Sequence, residues 1–125
     1  MSEPLTPCRV LVADDDPTVA LLMRVALPAP AFSTCVVASG DEALALFAEQ
    51  PFDLVLLDVE MPGRDGFEVC GEIRRRQGSA IPVVLVTGRN DSEFLSRASE
   101  LAADYIAKPV DWGNLAGRLQ ALLAR

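Results

Sequence analysis

The chain has 125 residues, half of them hydrophobic and 23% charged, which suits one domain with its own core and excludes intrinsic disorder. No apolar run approaches the roughly 20 residues of a membrane helix, and Met1 to Thr6 has neither the basic start nor the apolar stretch of an export signal, so a soluble intracellular, cytoplasmic domain is expected. Eleven basic against 18 acidic residues leave a net charge of −7, which argues against direct nucleic-acid binding, and the absence of histidine removes histidine acid–base chemistry, Ser/His and Cys/His nucleophile pairs and most zinc sites.

The predicted elements alternate. A first strand over Arg9–Ala13 leads to a helical window in which Val19, Leu22, Met23, Ala26 and Leu27 share one face, with Asp16 as N-cap and Pro17 at the first helical position. Cys35–Ala38 reads as a second strand, and Ser39 with Glu42 has capping-box spacing for a second helix. Leu54–Leu57 is the third strand. Asp65 and Gly66 shape the loop and start of a third helix, which runs through Arg74, Arg75 and Arg76 as a solvated charged face and ends at Gly78. Val83–Val86 is the fourth strand. Asn90 and Glu93 have capping-box spacing for a fourth helix, with Phe94, Leu95, Ala98 and Leu101 on its apolar side. Tyr105–Ala107 is the fifth strand, and Asp111 is placed to cap a last helix carrying Leu115, Leu119, Leu122 and Leu123, with Trp112 packing nearby. Three strands are apolar throughout, the pattern of a parallel sheet buried on both faces. Five strands and five helices in strict alternation imply right-handed crossovers and a three-layer α/β sandwich. Cys8, Cys35 and Cys70 are widely spaced and odd in number, and are expected as buried reduced thiols.

The chemistry lies at the strand ends. Asp14, Asp15 and Asp16 follow the first strand and Asp58 follows the third. In a doubly wound sheet of flavodoxin-like order 2-1-3-4-5, strands 1 and 3 are neighbours, and ligands bind outside their carboxyl ends at the switch point. That topology gathers Asp14, Asp15 and Asp58, whose like charges need a neutralising partner such as a hard divalent cation with oxygen ligands. Thr87 and Lys108 end strands four and five on the same edge. A metal, a hydroxyl and an ammonium converging on one carboxylate are the equipment for phosphoryl transfer onto it.

Asp14-Asp15, the run Asp58-Val-Glu-Met61-Pro62-Gly-Arg-Asp65-Gly66, Thr87, and Tyr105-Ile-Ala-Lys108-Pro109, in this order and spacing, resemble the response-regulator receiver domains of two-component signalling. The resemblance runs from about Arg9 to Arg125. It implies a single receiver domain over 1–125, with its core over about 9–124 and no output domain. By this resemblance Asp58 accepts a phosphoryl group from a sensor histidine kinase or a histidine phosphotransfer protein, and Thr87 and Lys108 complete the catalytic set by contacting phosphoryl oxygens. Asp15 and Asp58 bind Mg²⁺ (or Mn²⁺) directly, Asp14 through water, and Glu60 through its backbone carbonyl. Tyr105 is the aromatic switch coupled to Thr87, the α4-β5-α5 face carries the output, and Lys108–Pro109 is a cis peptide. The resemblance implies no enzyme beyond self-catalysed phosphorylation and dephosphorylation. Gly88 stands where the family usually has alanine, and Leu101-Ala102 stands near a common glycine. The run from Lys108 to Trp112, followed by Leu115, is similar to receivers fused to cyclic-di-GMP synthase or phosphodiesterase domains, and homodimerisation through the last helices stays open. Two other readings compete. Asp14-Asp-Asp16-Pro-Thr18 also fits the D-x-D-x-T motif of haloacid-dehalogenase-type phosphatases, and a receiver that only binds a partner has the same outline.

Overall fold

A computed structural model describes residues 6–77 and 80–124. Its elements are β1 (Cys8–Ala13), α1 (Pro17–Ala26), β2 (Phe32–Val37), α2 (Gly40–Glu49), β3 (Leu54–Asp58), α3 (Gly66–Gln77), β4 (Val83–Thr87), α4 (Ser92–Glu100), β5 (Asp104–Ala107) and α5 (Leu115–Leu123). All four strand pairings are parallel and the sheet order is β2-β1-β3-β4-β5, the arrangement expected from the sequence.

The unbroken apolar strands are explained by burial on both faces. Leu11, Val55, Leu57, Val83 and Leu85 point to one side, where Phe67, Val69 and Ile73 of α3 and Phe94 and Ala98 of α4 cover them. Val10, Val12, Leu54, Leu56 and Val84 point to the other, under Met23 and Leu27 and under Leu115 and Leu119 of α5. The central strands β1, β3 and β4 thus each supply two cores, and burial of this surface is the main force holding the three layers together. Trp112 packs at the rim of the second core, as expected.

Several boundaries differ from the sequence reading. β2 begins at Phe32 rather than Cys35, because Phe32 packs in the second core and Phe32, Ser33 and Thr34 pair with Cys8, Arg9 and Val10 of β1. The α4 cap is Asp91, not Asn90: its side chain accepts the Phe94 backbone N–H at 3.2 Å. Asp111 does not cap α5 but forms the turn before it, accepting the Asn114 N–H on its carbonyl at 3.1 Å, while Asn114 is the N-cap and makes no side-chain cap bond. Leu95, expected on the apolar side, is 38% exposed. Gly78 lies outside the described residues. Asp16 caps α1 through the Thr18 N–H at 2.8 Å, Ser39 caps α2 through the Glu42 N–H at 3.2 Å, and Asp65 accepts the Glu68 N–H at the start of α3 at 2.9 Å.

Arg74 corrects the reading of the arginine run. Its guanidinium donates to the carbonyls of Leu101 (2.6 Å), Ile81 (2.7 Å) and Ala102 (3.0 Å), tying α3 to the start of β4 and the end of α4, while Arg75 and Arg76 stay exposed. All three cysteines are free thiols. Cys70 is buried in the core, but Cys8 and Cys35 are only half-buried. Among the described residues no helix is long and apolar enough to cross a membrane.

Candidate phosphoacceptor site

The carboxyl ends of β1, β3, β4 and β5 bring the predicted residues to one edge. The register sets Ala13 against Leu57 and Asp58 against Val86, so the residues just beyond β1 and at the end of β3 meet. One oxygen from each of Asp14, Asp15 and Asp58 lies within 4.8 Å of the other two. Asp14 and Asp58 are buried and Asp15 is exposed, so the cluster opens to solvent on one side.

Lys108, next after β5, reaches across the edge, and its Nζ donates to Asp58 Oδ1 at 2.9 Å. The Glu60 backbone N–H donates to the same oxygen at 3.3 Å. Asp14 Oδ1 accepts the Asp16 N–H at 2.9 Å, which fixes the turn leaving β1. Lys108–Pro109 is cis, as the resemblance implied. The loop after β3 folds back so closely that a Cβ on Gly66 would sit 2.7 Å from the Asp58 carbonyl and 2.9 Å from Val59 Cα, both backbone atoms. Only glycine lets α3 start there, against the strand that carries Asp58.

Burial pushes the Asp58 carboxyl above its ordinary range, although the Lys108 hydrogen bond and charge pull the other way. Burial also raises Asp14, with the Asp58 and Asp15 charges adding to it against the bond from Asp16. Burial pulls Lys108 down, but the bond and charge of Asp58, helped by Glu60 and Asp14, outweigh it and hold the ammonium above its usual value. Three carboxylates facing one ammonium are an underneutralised cluster of hard oxygen donors, which fits a hard divalent cation.

Thr87 is buried at the end of β4. Its hydroxyl accepts the Arg89 N–H at 2.9 Å and donates to Glu60 Oε1 at 3.2 Å. Glu60 Oε2 is 3.8 Å from Lys108 Nζ. The sequence reading assigned Glu60 only a backbone role, and these side-chain contacts were missed. The strand ends at Asp58 and the chain turns at Val59–Met61, so strand periodicity gave no signal for where the Glu60 side chain goes. Tyr105 points outward, 40% exposed, with its ring edge-on to Phe94 at a centroid distance of 5.8 Å. Asp16, needed as a general acid in the phosphatase motif, is committed to capping α1.

Such a fold and edge define a doubly wound α/β domain with an acidic cluster at its switch point, and comparison with known proteins gives the family. The profile of the response regulator receiver domain matches residues 10–120, and the chain belongs to that family. Over 118 residues it is 37% identical to the DNA-binding response regulator MtrA of Mycolicibacterium smegmatis, covering 94% of this chain and 51% of that protein. It is 39% identical over 120 residues to the transcriptional regulatory protein AfsQ1 of Streptomyces coelicolor, covering 95% of this chain and 52% of that protein. The chemotaxis response regulator CheY4 of Vibrio cholerae superposes with a TM-score of 0.85 at 27% identity, covering 94% of this chain and 99% of that one. The chain thus spans about half the length of the curated relatives it matches. Receiver domains are in general signalling domains rather than enzymes.

These relatives overturn the expectation of no direct nucleic-acid binding, since MtrA is a DNA-binding response regulator. A net charge of −7 describes only the 125 residues it is summed over. It says nothing about the half of the relatives' length that the chain does not span. The relatives' names also speak of DNA binding and transcription, not of cyclic-di-GMP.

Proposed function

We propose that this chain is the phosphoacceptor receiver of a two-component response regulator, taking a phosphoryl group on Asp58 from a sensor histidine kinase or a histidine phosphotransfer protein. The observation that carries the reading is the Lys108 Nζ–Asp58 Oδ1 contact at 2.9 Å beside the Asp14–Asp15–Asp58 cluster. Both hydrogen bonds to Asp58 fall on Oδ1, which leaves Oδ2 for attack on phosphorus. As the new O–P bond forms, the donor's bond to phosphorus breaks and the donor leaves with the electron pair.

Asp14, Asp15 and Asp58 would hold Mg²⁺ or Mn²⁺, with the Glu60 carbonyl as a further oxygen donor. Such an ion, when bound, neutralises the carboxylates and the incoming phosphoryl oxygens. Lys108 offsets charge on a phosphoryl oxygen, and the Thr87 hydroxyl donates to another. An aspartyl phosphate carries about two negative charges where the carboxylate carried one, by analogy with other phosphorylations. Drawn toward it, Thr87 would vacate space for the Tyr105 ring to turn inward, changing the face formed by α4, β5 and α5. Shifting such a two-state balance from 1:99 to 99:1 requires about 5.5 kcal/mol of differential stabilisation. DNA binding and transcription, the roles of these relatives, are the output class that this face would control.

Intact mass after incubation with acetyl phosphate and Mg²⁺ tests the reading. A Mg²⁺-dependent phosphoryl adduct is expected on the wild type and none on Asp58→Asn. Donor hydrolysis that survives Asp58→Asn but is lost in Asp14→Asn would transfer the nucleophile to Asp14 and refute the assignment.

A further inference from the structure

Glu60 enters the phosphoacceptor chemistry above only through its backbone, yet its side chain has contacts of its own. Oε1 accepts the Thr87 hydroxyl at 3.2 Å, and Oε2 lies 3.8 Å from Lys108 Nζ. One carboxylate therefore bridges the two side chains assigned to the phosphoryl oxygens. Two anionic oxygens presented to a hydroxyl and an ammonium are the same pairing that a phosphoryl group on Asp58 would make.

We propose that the Glu60 carboxylate is an internal stand-in for the phosphoryl group: it occupies Thr87 and Lys108 in the unphosphorylated protein and must leave before a phosphoryl group can take them. The inference rests on the phosphoacceptor reading. It makes Glu60 a positioning residue that sets how readily the phosphorylated arrangement forms.

The geometry suits a displaceable occupant. The Glu60 side chain is 53% exposed, its ion pair is long, and an exposed pair of that kind is weak. The Lys108–Asp58 contact it accompanies is shorter, and the Asp58 side chain is only 5% exposed. Glu60 swings from a fixed pivot, because its backbone N–H stays on Asp58 Oδ1. The Arg89 guanidinium makes its hydrogen bonds to both Asp91 oxygens, at 3.0 and 3.1 Å, and acts on Glu60 only through its charge. Thr87 Oγ1 accepts the Arg89 N–H at the same time, so the contact with Glu60 takes up only its hydroxyl proton.

The test is titration with beryllofluoride in excess Mg²⁺, followed by the amide signals of Thr87 and Lys108, on the wild type, Glu60→Ala, Glu60→Gln and Glu60→Asp, with Asp58→Asn as control. Removing one weak ion pair and one hydrogen bond predicts roughly threefold to tenfold tighter binding for Glu60→Ala. Glu60→Gln, which can still accept from Thr87, should fall between Ala and wild type. Glu60→Asp keeps the charge but is one methylene too short to bridge both partners, and should follow Ala. An Asp variant that matches the wild type while Ala binds tighter would reduce the effect to general repulsion of an anion and overturn the bridge. Equal or weaker binding by Glu60→Ala overturns it directly. Saturable binding absent from the wild type and every Glu60 variant, or surviving Asp58→Asn, would instead overturn the phosphoacceptor reading and this inference with it.

Discussion

At the scale of single residues, the structure separates polar groups that are buried for a purpose from one that is not. Among the described residues Asp14, Asp58 and Thr87 are the buried polar side chains, and each has hydrogen-bond partners at the site. Thr34 Oγ1, on β2, is also sealed from solvent and has no hydrogen-bond partner among the described residues. Thr34 shares the β2 face of Phe32 and Val36, which pack on the second core. A buried hydroxyl without a partner costs roughly 1–3 kcal/mol, and valine keeps its shape. Thr34→Val is therefore expected to stabilise the fold by about 1 kcal/mol. Urea unfolding checks this through a higher midpoint at unchanged slope. A lower midpoint would mean that the hydroxyl has a partner in solution. The contrast also accounts for what could be read in advance. Asp14, Asp58, Thr87 and Lys108 follow from topology, because each stands at a strand end. The Glu60 side chain and the Thr34 hydroxyl depend on which way one side chain turns, and strand order does not determine that.

At the scale of elements, the end of α4 shows a local rule overridden by its neighbours. Leu101 is the C-cap, the Ala102 N–H bonds the Ser99 carbonyl at 3.0 Å, and the Ala103 N–H bonds the Ala98 carbonyl at 2.9 Å. That pair of bonds is the Schellman motif, which places the residue after the cap in the left-handed region. Here that residue is Ala102, at φ 53°, and it is the one non-glycine residue with positive φ among the described residues. Arg74 donates to the carbonyls of both Leu101 and Ala102, holding the strained turn against α3. Ala102→Gly removes the Cβ penalty at some cost in unfolded-chain entropy, and should stabilise by about 0.5–1 kcal/mol. Thermal unfolding measures it, and a drop in Tm would show that the Ala102 methyl contributes more by packing than it costs in strain. The sequence marked this turn as a departure from the family, but could not show what holds it. Arg74 looks like one of three equivalent charges in Arg74-Arg75-Arg76, and only the packing of α3 singles it out. The α4 cap slipped by one residue for a similar reason. Asn90 and Asp91 are both good capping types, and the spacing to Glu93 favoured the wrong one. The central strands were legible because a short unbroken apolar run between turn residues suits a strand covered on both faces, whereas the polar Ser33 and Thr34 break the apolar run at the start of the edge strand β2.

At the scale of the whole molecule, the sign and the placement of charge have separate consequences. The net charge of −7 is a sum, and it misled where it was extended to partners. Placement matters more: the fold sets two buried carboxylates and an exposed one at a single edge with Lys108 as the nearby ammonium. The metal-free protein therefore carries an electrostatic penalty at the candidate site, the trade of stability that a functional site of this kind would make. Asp14 tests this while leaving Asp58 and its two hydrogen bonds in place. Burial and the neighbouring charges disfavour its ionised form, while asparagine retains the oxygen that accepts the Asp16 N–H. Asp14→Asn should raise metal-free stability by on the order of 1 kcal/mol, by removing one like charge from a low-dielectric cluster. Mg²⁺ should reverse the ranking. A ligand that binds only the folded state adds about 2.7 kcal/mol at one hundred times its Kd, and the wild type should show that gain at a Mg²⁺ concentration where Asp14→Asn shows little. Thermal melts of both proteins across a Mg²⁺ series measure the two slopes. If the wild type gains no more than Asp14→Asn, the acidic edge is not a cation site. If Asp14→Asn is the less stable protein without metal, the crowding of carboxylates is not the penalty inferred from their burial.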